Sequence, residues 1–465
     1  MKLLLVYPPF CPPSMPPYSI SYLKSFLIDN LEINVKCFDL NAKFHQLKFP
    51  EYYQQIRLKK YNNDIKQYGT ILAHFENASR SVYAENNRKI INKQLPEFYQ
   101  EILKLILTEK PNIVAFSFVY NSQCFYASPL LQELKKCNIP CIVGGPATIT
   151  KFKEEYTYLK NEVEFLNHLT KIYKITAKYK QENYFCHNTP DFQDYRKSDY
   201  LSKELIIPLK TSSTCFYKQC TFCTHYSPVP YYEFSLEEIK STIQKSKARH
   251  VFFIDDMISK KRLEYLAEIL KPLNINWLCQ LRPTVDIISL LPTLKASGLH
   301  AVLWGVESAN QRILNLIKKG TNIEDITKIL QVSQNNNIKN ILFIMFGFPT
   351  ETKEEIMNTF QFLKDNGQNI DLICTSIFGL QKQSYIYNNL HEFSITNIHK
   401  QPRTVLEEKI TYTISQGVSQ EEAKKIRKRH THIINKINKV PKVFDYLKEQ
   451  IFFFHQCVSL VVHIH

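Results

Sequence analysis

Residues Ser213–Tyr226 read STCFYKQCTFCTHY and hold Cys215, Cys220 and Cys223, with His225 close behind. The stretch follows an apolar segment, ELIIPLKTS, which has the pattern of a buried strand. Clustered thiolates bind soft metals. Three interpretations are open: a zinc site of three cysteines and one histidine, the loop of an iron–sulfur cluster, or a chance grouping of core cysteines.

The spacing favours the iron–sulfur cluster. Cys223 and His225 are only two residues apart, whereas zinc-binding pairs usually have longer spacings. The loop also leaves a strand and opens an α/β segment, which is unusual for a structural zinc knuckle. Three cysteines on a cubane leave one iron without a protein ligand, and such an open position can bind a substrate or cofactor.

Downstream of the loop, four apolar segments each end in polar or glycine residues: HVFFIDD, NWLCQLRP, HAVLWGVES and NILFIMFGFP. Helical patterns separate them, so we expect an open or partial α/β barrel over residues 205–370, with its site at the carboxyl ends of the strands. The candidate site residues at those ends are Asp255, Asp256, Arg282, Glu307 and Gly347.

Each of these residues also has a purely structural interpretation. Asp255 or Asp256 can cap a helix that begins near Ser259, Arg282 can form a surface salt bridge, and Gly347 can serve a tight turn. Glu307 ends a buried strand and needs a partner. Two helix starts are predicted from capping-box spacing, one at Ser308 with Gln311 and one at Thr352 with Glu355.

The first 150 residues repeat a strand–helix alternation that predicts a separate parallel sheet. Ligands of such sheets bind at the carboxyl ends of the strands. The candidate binding loops are Tyr7–Pro13, Asp39–Asn41, Tyr120–Gln123 and Gly144–Thr148. We therefore expect a first domain at residues 1–175, a polar linker at 176–204 and, after the barrel, a mainly helical region at 371–465.

The bulk composition is that of a soluble globular protein. The chain has 465 residues, of which 44% are apolar and 22% charged. Neither terminal apolar stretch is long enough for a signal peptide or a membrane span, so we expect a cytoplasmic protein with reduced cysteines and no membrane partner. The net charge of +16 comes from lysines that form no block, and nucleic acid is not expected as a partner.

The cysteine loop resembles that of radical SAM enzymes, in which the usual spacing is C-x3-C-x2-C. Here the spacing is C-x4-C-x2-C, with Phe222 in the aromatic position before the last cysteine. This variant is similar to that of cobalamin-dependent members, including those that modify ribosomally made peptides. The resemblance implies a 4Fe–4S cluster on Cys215, Cys220 and Cys223. Its free iron would chelate S-adenosylmethionine, which one electron cleaves to a 5′-deoxyadenosyl radical.

The same resemblance assigns the strand-end residues to S-adenosylmethionine. The acidic pair of FFIDD looks like the family's second-strand motif, GVES looks like the segment whose glutamate contacts the ribose and methionine region, and FGFP looks like the glycine-rich turn beside adenine. Arg282 would meet the carboxylate. The predicted S-adenosylmethionine contacts are Phe222, Asp255, Asp256, Arg282, Glu307 and Gly347.

The first domain resembles the Rossmann-like cobalamin-binding domain that precedes the barrel in one branch of this family. The matching segments are VYPPF, FDLN, VAFSFVYNS and IVGGP. The resemblance implies corrin contacts from Asn121, Gln123, Gly144 and Gly145. The D-x-H-x-x-G loop of histidine-ligating cobalamin proteins is absent, so cobalt would have no histidine below it. The alternative is a domain that no longer binds corrin.

The function that this resemblance implies is cobalamin-dependent C-methylation of a peptide or a small molecule, with flavodoxin or ferredoxin as the reductant. Two alternatives remain open. An RNA-modifying methylthiotransferase would carry a second cysteine trio, but Cys137 and Cys141 have no obvious third partner. A non-catalytic zinc- or cobalamin-binding regulatory module is the other, and metal analysis separates it from an enzyme.

Overall fold

The structure is a computed structural model that describes residues 1–61, 64–178, 190–224 and 230–454. His225, and residues 179–189 of the predicted linker, lie outside the described residues. Two parallel sheets follow one another along the chain, one of five strands and one of six. This arrangement confirms the predicted α/β fold, with a Rossmann-like sheet before a partial barrel.

The first sheet has the strand order β2-β1-β3-β4-β5 and is parallel throughout. Alternate residues of β1 point to opposite faces: Leu3 and Leu5 join the core under α1 and α8, whereas Leu4 and Val6 join the core under α5 and α6. The strand order reverses at β1 and β3, because β2 lies on one side of β1 and the later strands on the other, and open α/β sheets bind ligands at such a point. The strands are β1 (Lys2–Tyr7), β2 (Asn34–Asp39), β3 (Ile113–Ser117), β4 (Cys141–Gly144) and β5 (Thr157–Tyr158), and the helices are α1 (Tyr18–Asn30), α2 (Leu40–Lys48), α3 (Pro50–Arg57), α4 (Ile65–Ile91), α5 (Tyr99–Thr108), α6 (Gln123–Lys136), α7 (Thr150–Glu155) and α8 (Glu162–Ile172).

The second sheet has its six strands in chain order and all parallel, as in a partial barrel. Its sixth strand, β11, lies just past the boundary predicted at residue 370. The strands are β6 (Ile206–Leu209), β7 (His250–Phe253), β8 (Asn276–Leu281), β9 (Leu299–Glu307), β10 (Lys339–Phe346) and β11 (Leu372–Ile377), and the helices are α9 (Leu236–Ser246), α10 (Lys260–Leu270), α11 (Leu291–Ala296), α12 (Gln311–Leu316), α13 (Ile323–Asn335) and α14 (Lys353–Asp365).

The concave face of the six-stranded sheet is filled by distant parts of the chain. Ile206, Leu278 and Ile341 of the strands pack in one cluster with aromatic residues of α4 and with the segment at residues 440–454. Tyr68 of α4 donates a hydrogen bond to Gln450 Oε1 at 2.5 Å. The opposite strand face packs on α9–α14. Helix α4 and residues 440–454 thus cover this face of the sheet, because an open sheet must bury both apolar faces.

The region after β11 combines helices with one antiparallel hairpin. None of the helices in the described part of the chain is long and apolar enough to cross a membrane. The elements are α15 (Tyr385–Asn388), β12 (Ile395–Gln401), β13 (Lys409–Ile414), α16 (Gln420–Arg429) and α17 (Thr431–Ile437), together with short 3₁₀ turns at Lys442–Asp445 and Lys448–Phe453.

Two of the predicted helix starts are confirmed and one is wrong. Ser259 caps α10, and Thr352 with Glu355 forms a capping box at α14. The helix predicted at Ser308 begins only at Gln311. The Ser308 hydroxyl instead accepts a hydrogen bond from the backbone of Asn310 at 3.2 Å, because a tight turn follows β9 before the helix can start.

Candidate active site

The cysteine loop is anchored to the barrel and to the region that follows it. The Thr221 amide donates to the carbonyl of Ile317 at 3.1 Å, and the Thr221 carbonyl accepts from the Ile386 amide at 3.0 Å. The Tyr217 hydroxyl donates to the carbonyl of Lys318 at 2.9 Å. These contacts fix the loop against the end of α12 and the start of α15, so the cysteines are held at the carboxyl end of the sheet.

The three cysteines are half-buried free thiols. Burial raises the pKa of the Cys220 thiol, which the charge of Lys319 opposes, and Glu307, Cys215 and Arg282 also act on it. The loop therefore lies next to the strand-end residues that the sequence singled out.

Glu307 has a strained backbone at the end of β9. Its φ is +67°, in the left-handed region that glycine favours, and the Ser308 amide closes a three-residue turn on the Val306 carbonyl at 2.9 Å. The register of β9 with β10 also shifts at this point. Such strain costs about 1–3 kcal/mol and persists where surrounding structure imposes it. It aims the Glu307 carboxylate toward the cysteine loop.

Lys319, which the sequence interpretation missed, is the partner of Glu307. Its Nζ lies 2.8 Å from Glu307 Oε1, and the two side chains are only 11% and 14% exposed. Burial alone would lower the pKa of Lys319, but the charges of Glu307 and Cys220 outweigh it, and the pKa lies above its usual value. The ammonium group also lies 5.8 Å from the centre of the Phe222 ring.

A glycine inside β9 was the available signal for this lysine. A Cβ on Gly305 would lie 2.7 Å from Lys319 Nζ and 3.1 Å from Glu307 Oε1. Glycine within a strand often marks a close approach of other groups, and this chain has only ten glycines. The ammonium group therefore occupies the space that the missing side chain leaves.

Arg282 stacks on Tyr217 of the cysteine loop. Its guanidinium carbon is 3.7 Å from the ring centre, and one of its terminal nitrogens donates to the carbonyl of Lys319 at 3.2 Å. Arg282 Nε is buried and has no hydrogen-bond partner among the described residues. Gly320, with φ +66°, permits this packing, because a Cβ there would be 2.4 Å from the Tyr217 hydroxyl.

Asp255 braces the start of the cysteine loop. Its buried carboxylate accepts hydrogen bonds of 2.8–3.1 Å from the backbone amides and hydroxyls of Thr211 and Ser212. Burial raises its pKa to about 6, although these hydrogen bonds oppose the rise. Because its contacts are with the protein, Asp255 positions the loop, and the neighbouring Asp256 is the half-buried member of the pair.

Gly347 lies in a turn backed by the C-terminal region. Its φ is +73°, and a Cβ there would be 2.6 Å from the Cβ of Ala423 in α16. Its amide donates to Glu351 Oε2 at 2.6 Å. Burial raises the pKa of Glu351 to about 8, and Glu351 Oε1 has no partner among the described residues. The glycine is required for the turn and for packing against α16.

The residues present suit a cluster with one thiolate per iron. Among the described residues, no group of three His, Cys, Asp or Glu side chains is arranged to hold a single metal ion. A cubane cluster requires ligands that are further apart, since each cysteine binds its own iron. The charges of Lys319 and Arg282 near Cys220 suit a site that gathers thiolates.

A cavity of about 590 Å³ lies between the two sheets. Its wall on one side consists of the carboxyl ends of β1, β3 and β4, including Tyr7, Tyr120 and Gly144, and its opposite wall includes Pro208 and Lys210 of the barrel. The lining is mostly apolar, and none of its described residues is a histidine. The cavity lies at the carboxyl ends of β1 and β3, where the strand order reverses and where such sheets bind ligands.

The four predicted corrin contacts divide into two pairs. Gly144 and Gly145 line the cavity, whereas Asn121 is exposed outside it. Gln123 is buried: its amide nitrogen donates to the Pro8 carbonyl at 2.9 Å, and its oxygen accepts from the amides of Val119 and Tyr120. Gln123 therefore holds together two loops that form the cavity rim.

One family model matches the segment of the chain that contains this site. Residues 209–363 match the model of the radical SAM superfamily. An uncharacterized methyltransferase of Pyrococcus horikoshii is 28% identical over 133 residues, and an anaerobic magnesium-protoporphyrin IX monomethyl ester cyclase of Rubrivivax gelatinosus is 26% identical over 193 residues. These alignments cover 28% and 38% of this chain, and only 29% and 34% of the length of the two relatives.

Two solved structures share the fold over nearly the whole chain. The radical S-adenosylmethionine methyltransferase TsrM of Kitasatospora setae, with tryptophan and a SAM analog bound, has a TM-score of 0.65 at 12% identity and covers 96% of this chain and 95% of its own. The cobalamin-dependent radical enzyme OxsB, with aqua-cobalamin bound, has a TM-score of 0.62 at 14% identity. The match covers 93% of this chain and 66% of OxsB. The chain therefore contains a radical SAM domain at residues 209–363, and the cysteine loop lies within it.

Proposed function

We propose that the protein is a cobalamin-dependent radical SAM methyltransferase. The observation that carries this proposal is the cavity shared by the two sheets. Lys210 lines that cavity and lies in the same connection that leads from β6 to Cys215. A corrin in the cavity and a cluster on the cysteine loop would thus be neighbours, as a methyl transfer between their bound groups requires.

The cluster would be held by Cys215, Cys220 and Cys223. When bound, it supplies the electron that cleaves S-adenosylmethionine. The protein's part is to keep the loop rigid, through the braces of Asp255 on Thr211 and Ser212. A site held by hydrogen bonds of this kind needs little reorganisation when charge moves.

S-adenosylmethionine carries an ammonium group and a carboxylate that both need partners. Glu307 is the acid for the ammonium and ribose side, and Lys319 with Arg282 supplies positive charge for the carboxylate. Arg282 Nε is a buried donor without a partner among the described residues, so a ligand acceptor there would relieve a cost of roughly 1–3 kcal/mol. Asp256, Phe222 and Gly347 complete the proposed binding set.

Cobalamin would lie in the 590 Å³ cavity against Gly144 and Gly145. The mostly apolar lining suits the face of a flat macrocycle. Both glycines also lie close to neighbouring backbone, because a Cβ on Gly145 would be 2.4 Å from the Phe118 carbonyl oxygen and one on Gly144 would be 3.0 Å from that of Leu159. Tyr7, Tyr120 and Tyr446 add hydroxyl-bearing rings to the lining.

The substrate is a peptide or a small molecule, and we favour a peptide because the cysteine spacing is similar to that of peptide-modifying members. The two tyrosine side chains Tyr120 and Tyr232 are among the few large hydrophobic ones left exposed near these sites, at 49% and 44%. Electrons would come from a flavodoxin or ferredoxin.

The test is anaerobic reconstitution with iron and sulfide, followed by hydroxocobalamin, desalting, reductant and S-adenosylmethionine. We expect iron with sulfide, a retained corrin spectrum, 5′-deoxyadenosine and S-adenosylhomocysteine. Cys220→Ala should lose the cluster and the cleavage, whereas Cys137→Ala, an exposed thiol, should behave as wild type. Zinc instead of iron, or cleavage that survives Cys220→Ala, would refute the proposal.

A further inference from the structure

A further cavity, lined mainly by polar and charged residues, lies between α3 and the segment that leads to the barrel, apart from the site described above. Its volume is about 350 Å³. Four cationic side chains line it: Arg57 and Lys59 from the end of α3 and the turn after it, and Lys197 and Lys203 from the connecting segment. No carboxylate is among its lining residues in the described part of the chain. The lining residues therefore carry a net positive charge, with Lys203 half-buried and the other three cationic residues exposed.

Two buried hydroxyls in the same cavity lack partners. Tyr53 and Ser202 are only 7% and 4% exposed. The Tyr53 hydroxyl and the Ser202 hydroxyl have no hydrogen-bond partner among the described residues. Native proteins rarely leave buried hydroxyls unsatisfied, because each costs about 1–3 kcal/mol. Both groups can donate a hydrogen bond to an acceptor placed in the cavity.

Lys203 is the most enclosed of the four cations. Its Nζ lies 4.3 Å from the ring centre of Tyr61 and 4.4 Å from that of Tyr68. It makes no ion pair with a carboxylate of the described chain, and burial lowers its pKa. A partly buried cation that is surrounded by aromatic rings and has no carboxylate lacks the charge partner that such groups normally have.

The two carboxylates nearest Tyr53 are already used by the protein. Asp39 accepts from the Ala42 amide at 2.8 Å and from the Tyr200 hydroxyl at 3.0 Å. Asp199 accepts from the Arg196 amide at 2.8 Å and from Gln46 at 3.0 Å. Neither carboxylate accepts a hydrogen bond from the Tyr53 hydroxyl, which has no partner among the described residues.

We propose that this cavity binds the phosphate group of a small molecule through Arg57, Lys59, Lys197 and Lys203, with Tyr53 and Ser202 as hydroxyl donors. A phosphate fits better than a carboxylate, because it carries close to two negative charges and three acceptor oxygens. The volume exceeds that of the phosphate alone, and the Tyr61 ring offers an apolar wall for an organic group. The phosphate comes from a phosphomonoester or from free phosphate.

Binding is measured by titration calorimetry on the full chain in a phosphate-free, low-salt buffer. The probes are phenyl phosphate, inorganic phosphate and benzoate. We expect saturable binding of the two phosphates, weakened by salt, and at least tenfold weaker binding of benzoate. Tighter binding of phenyl phosphate indicates a phosphomonoester, and equal binding indicates free phosphate. Benzoate binding as tight as that of the phosphates would overturn the proposal.

Variants tie the binding to the cavity. Tyr53→Phe and Ser202→Ala each remove one donor and should weaken phenyl phosphate binding by about tenfold. Lys203→Met keeps the aliphatic packing on the rings and should weaken it further. Lys151→Met, at an exposed lysine of α7, is the matched control. Unchanged affinity in Tyr53→Phe and Lys203→Met, with both folded by circular dichroism, would refute the proposal.

Discussion

Replacing Lys319 with methionine tests the ion pair that the structure places beside the cysteine loop. Lys319 and Glu307 are both nearly buried and 2.8 Å apart. Methionine keeps much of the side-chain volume and removes the charge. The Glu307 carboxylate is then left buried without its cation, on a backbone that already carries left-handed strain.

The cost follows from the burial of the pair. Removing one partner of a buried ion pair costs about 3–5 kcal/mol, because the other charge stays in a poorly solvated place. Such a loss is a large share of the roughly 5–15 kcal/mol that stabilises a typical domain. We expect Lys319→Met to be clearly destabilised, and Lys319→Met with Glu307→Gln to recover most of that loss.

The two effects of the lysine are separated by measuring stability and cofactor affinity on the same four proteins. Stability is read from urea unfolding of the wild type, both single variants and the double variant. Affinity for S-adenosylmethionine is measured after cluster reconstitution. We expect the double variant to fold but to bind roughly 10- to 100-fold more weakly, because a charge-assisted hydrogen bond is worth about 1.5–3 kcal/mol.

Lys318→Met is the control, since Lys318 is the exposed neighbour on the same segment. It should leave both measurements close to those of the wild type. If Lys319→Met were no less stable than Lys318→Met, the pair would not be buried as described. If the double variant bound S-adenosylmethionine as tightly as the wild type, Lys319 would have no role in cofactor binding.

Three further substitutions test other contacts. Gly305→Ala places a Cβ 2.7 Å from Lys319 Nζ and should weaken S-adenosylmethionine binding at unchanged iron content; equal affinity would show that the lysine moves aside freely. Asp255→Asn puts amide hydrogens against the donors of Thr211 and Ser212 and should lower the iron bound per chain; full iron loading would remove its bracing role. Glu351, with a pKa raised by burial to about 8, stabilises the fold fully below pH 4.5 and loses this contribution as the pH rises through 8. Between these two pH values, the unfolding free energy of the wild type should fall by about 1.4 kcal/mol per pH unit because of Glu351. Glu351→Gln should remove this part of the slope, and an unchanged slope would contradict the burial of Glu351.

The sequence predicted those features that depend on local pattern. Apolar segments that end in polar residues predicted both parallel sheets. The spacing of Cys215, Cys220 and Cys223 indicated the cysteine loop. The Thr352 capping box is also local, and it is present. Ser308 misled because the same hydroxyl can serve a turn as well as a helix cap.

Features that depend on contacts between distant parts of the chain could not be predicted from the local sequence pattern. The packing of α4 and residues 440–454 on the concave sheet face joins segments nearly four hundred residues apart, as the Tyr68–Gln450 hydrogen bond does. Lys319 follows the end of a helix and reads as an ordinary surface lysine. The missing side chain of Gly305 on β9 makes room for its ammonium group.

The segment after β6 joins the two proposed cofactor sites along the chain. Pro208 and Lys210 line the cavity, Asp255 holds Thr211 and Ser212, and Cys215 is the third residue after Ser212. Asp255 thus holds the residues that join the cavity lining to the cysteine loop. The acidic residue that the sequence predicts as a ligand thus has a structural role at this strand end, because it holds the backbone at the start of the cysteine loop.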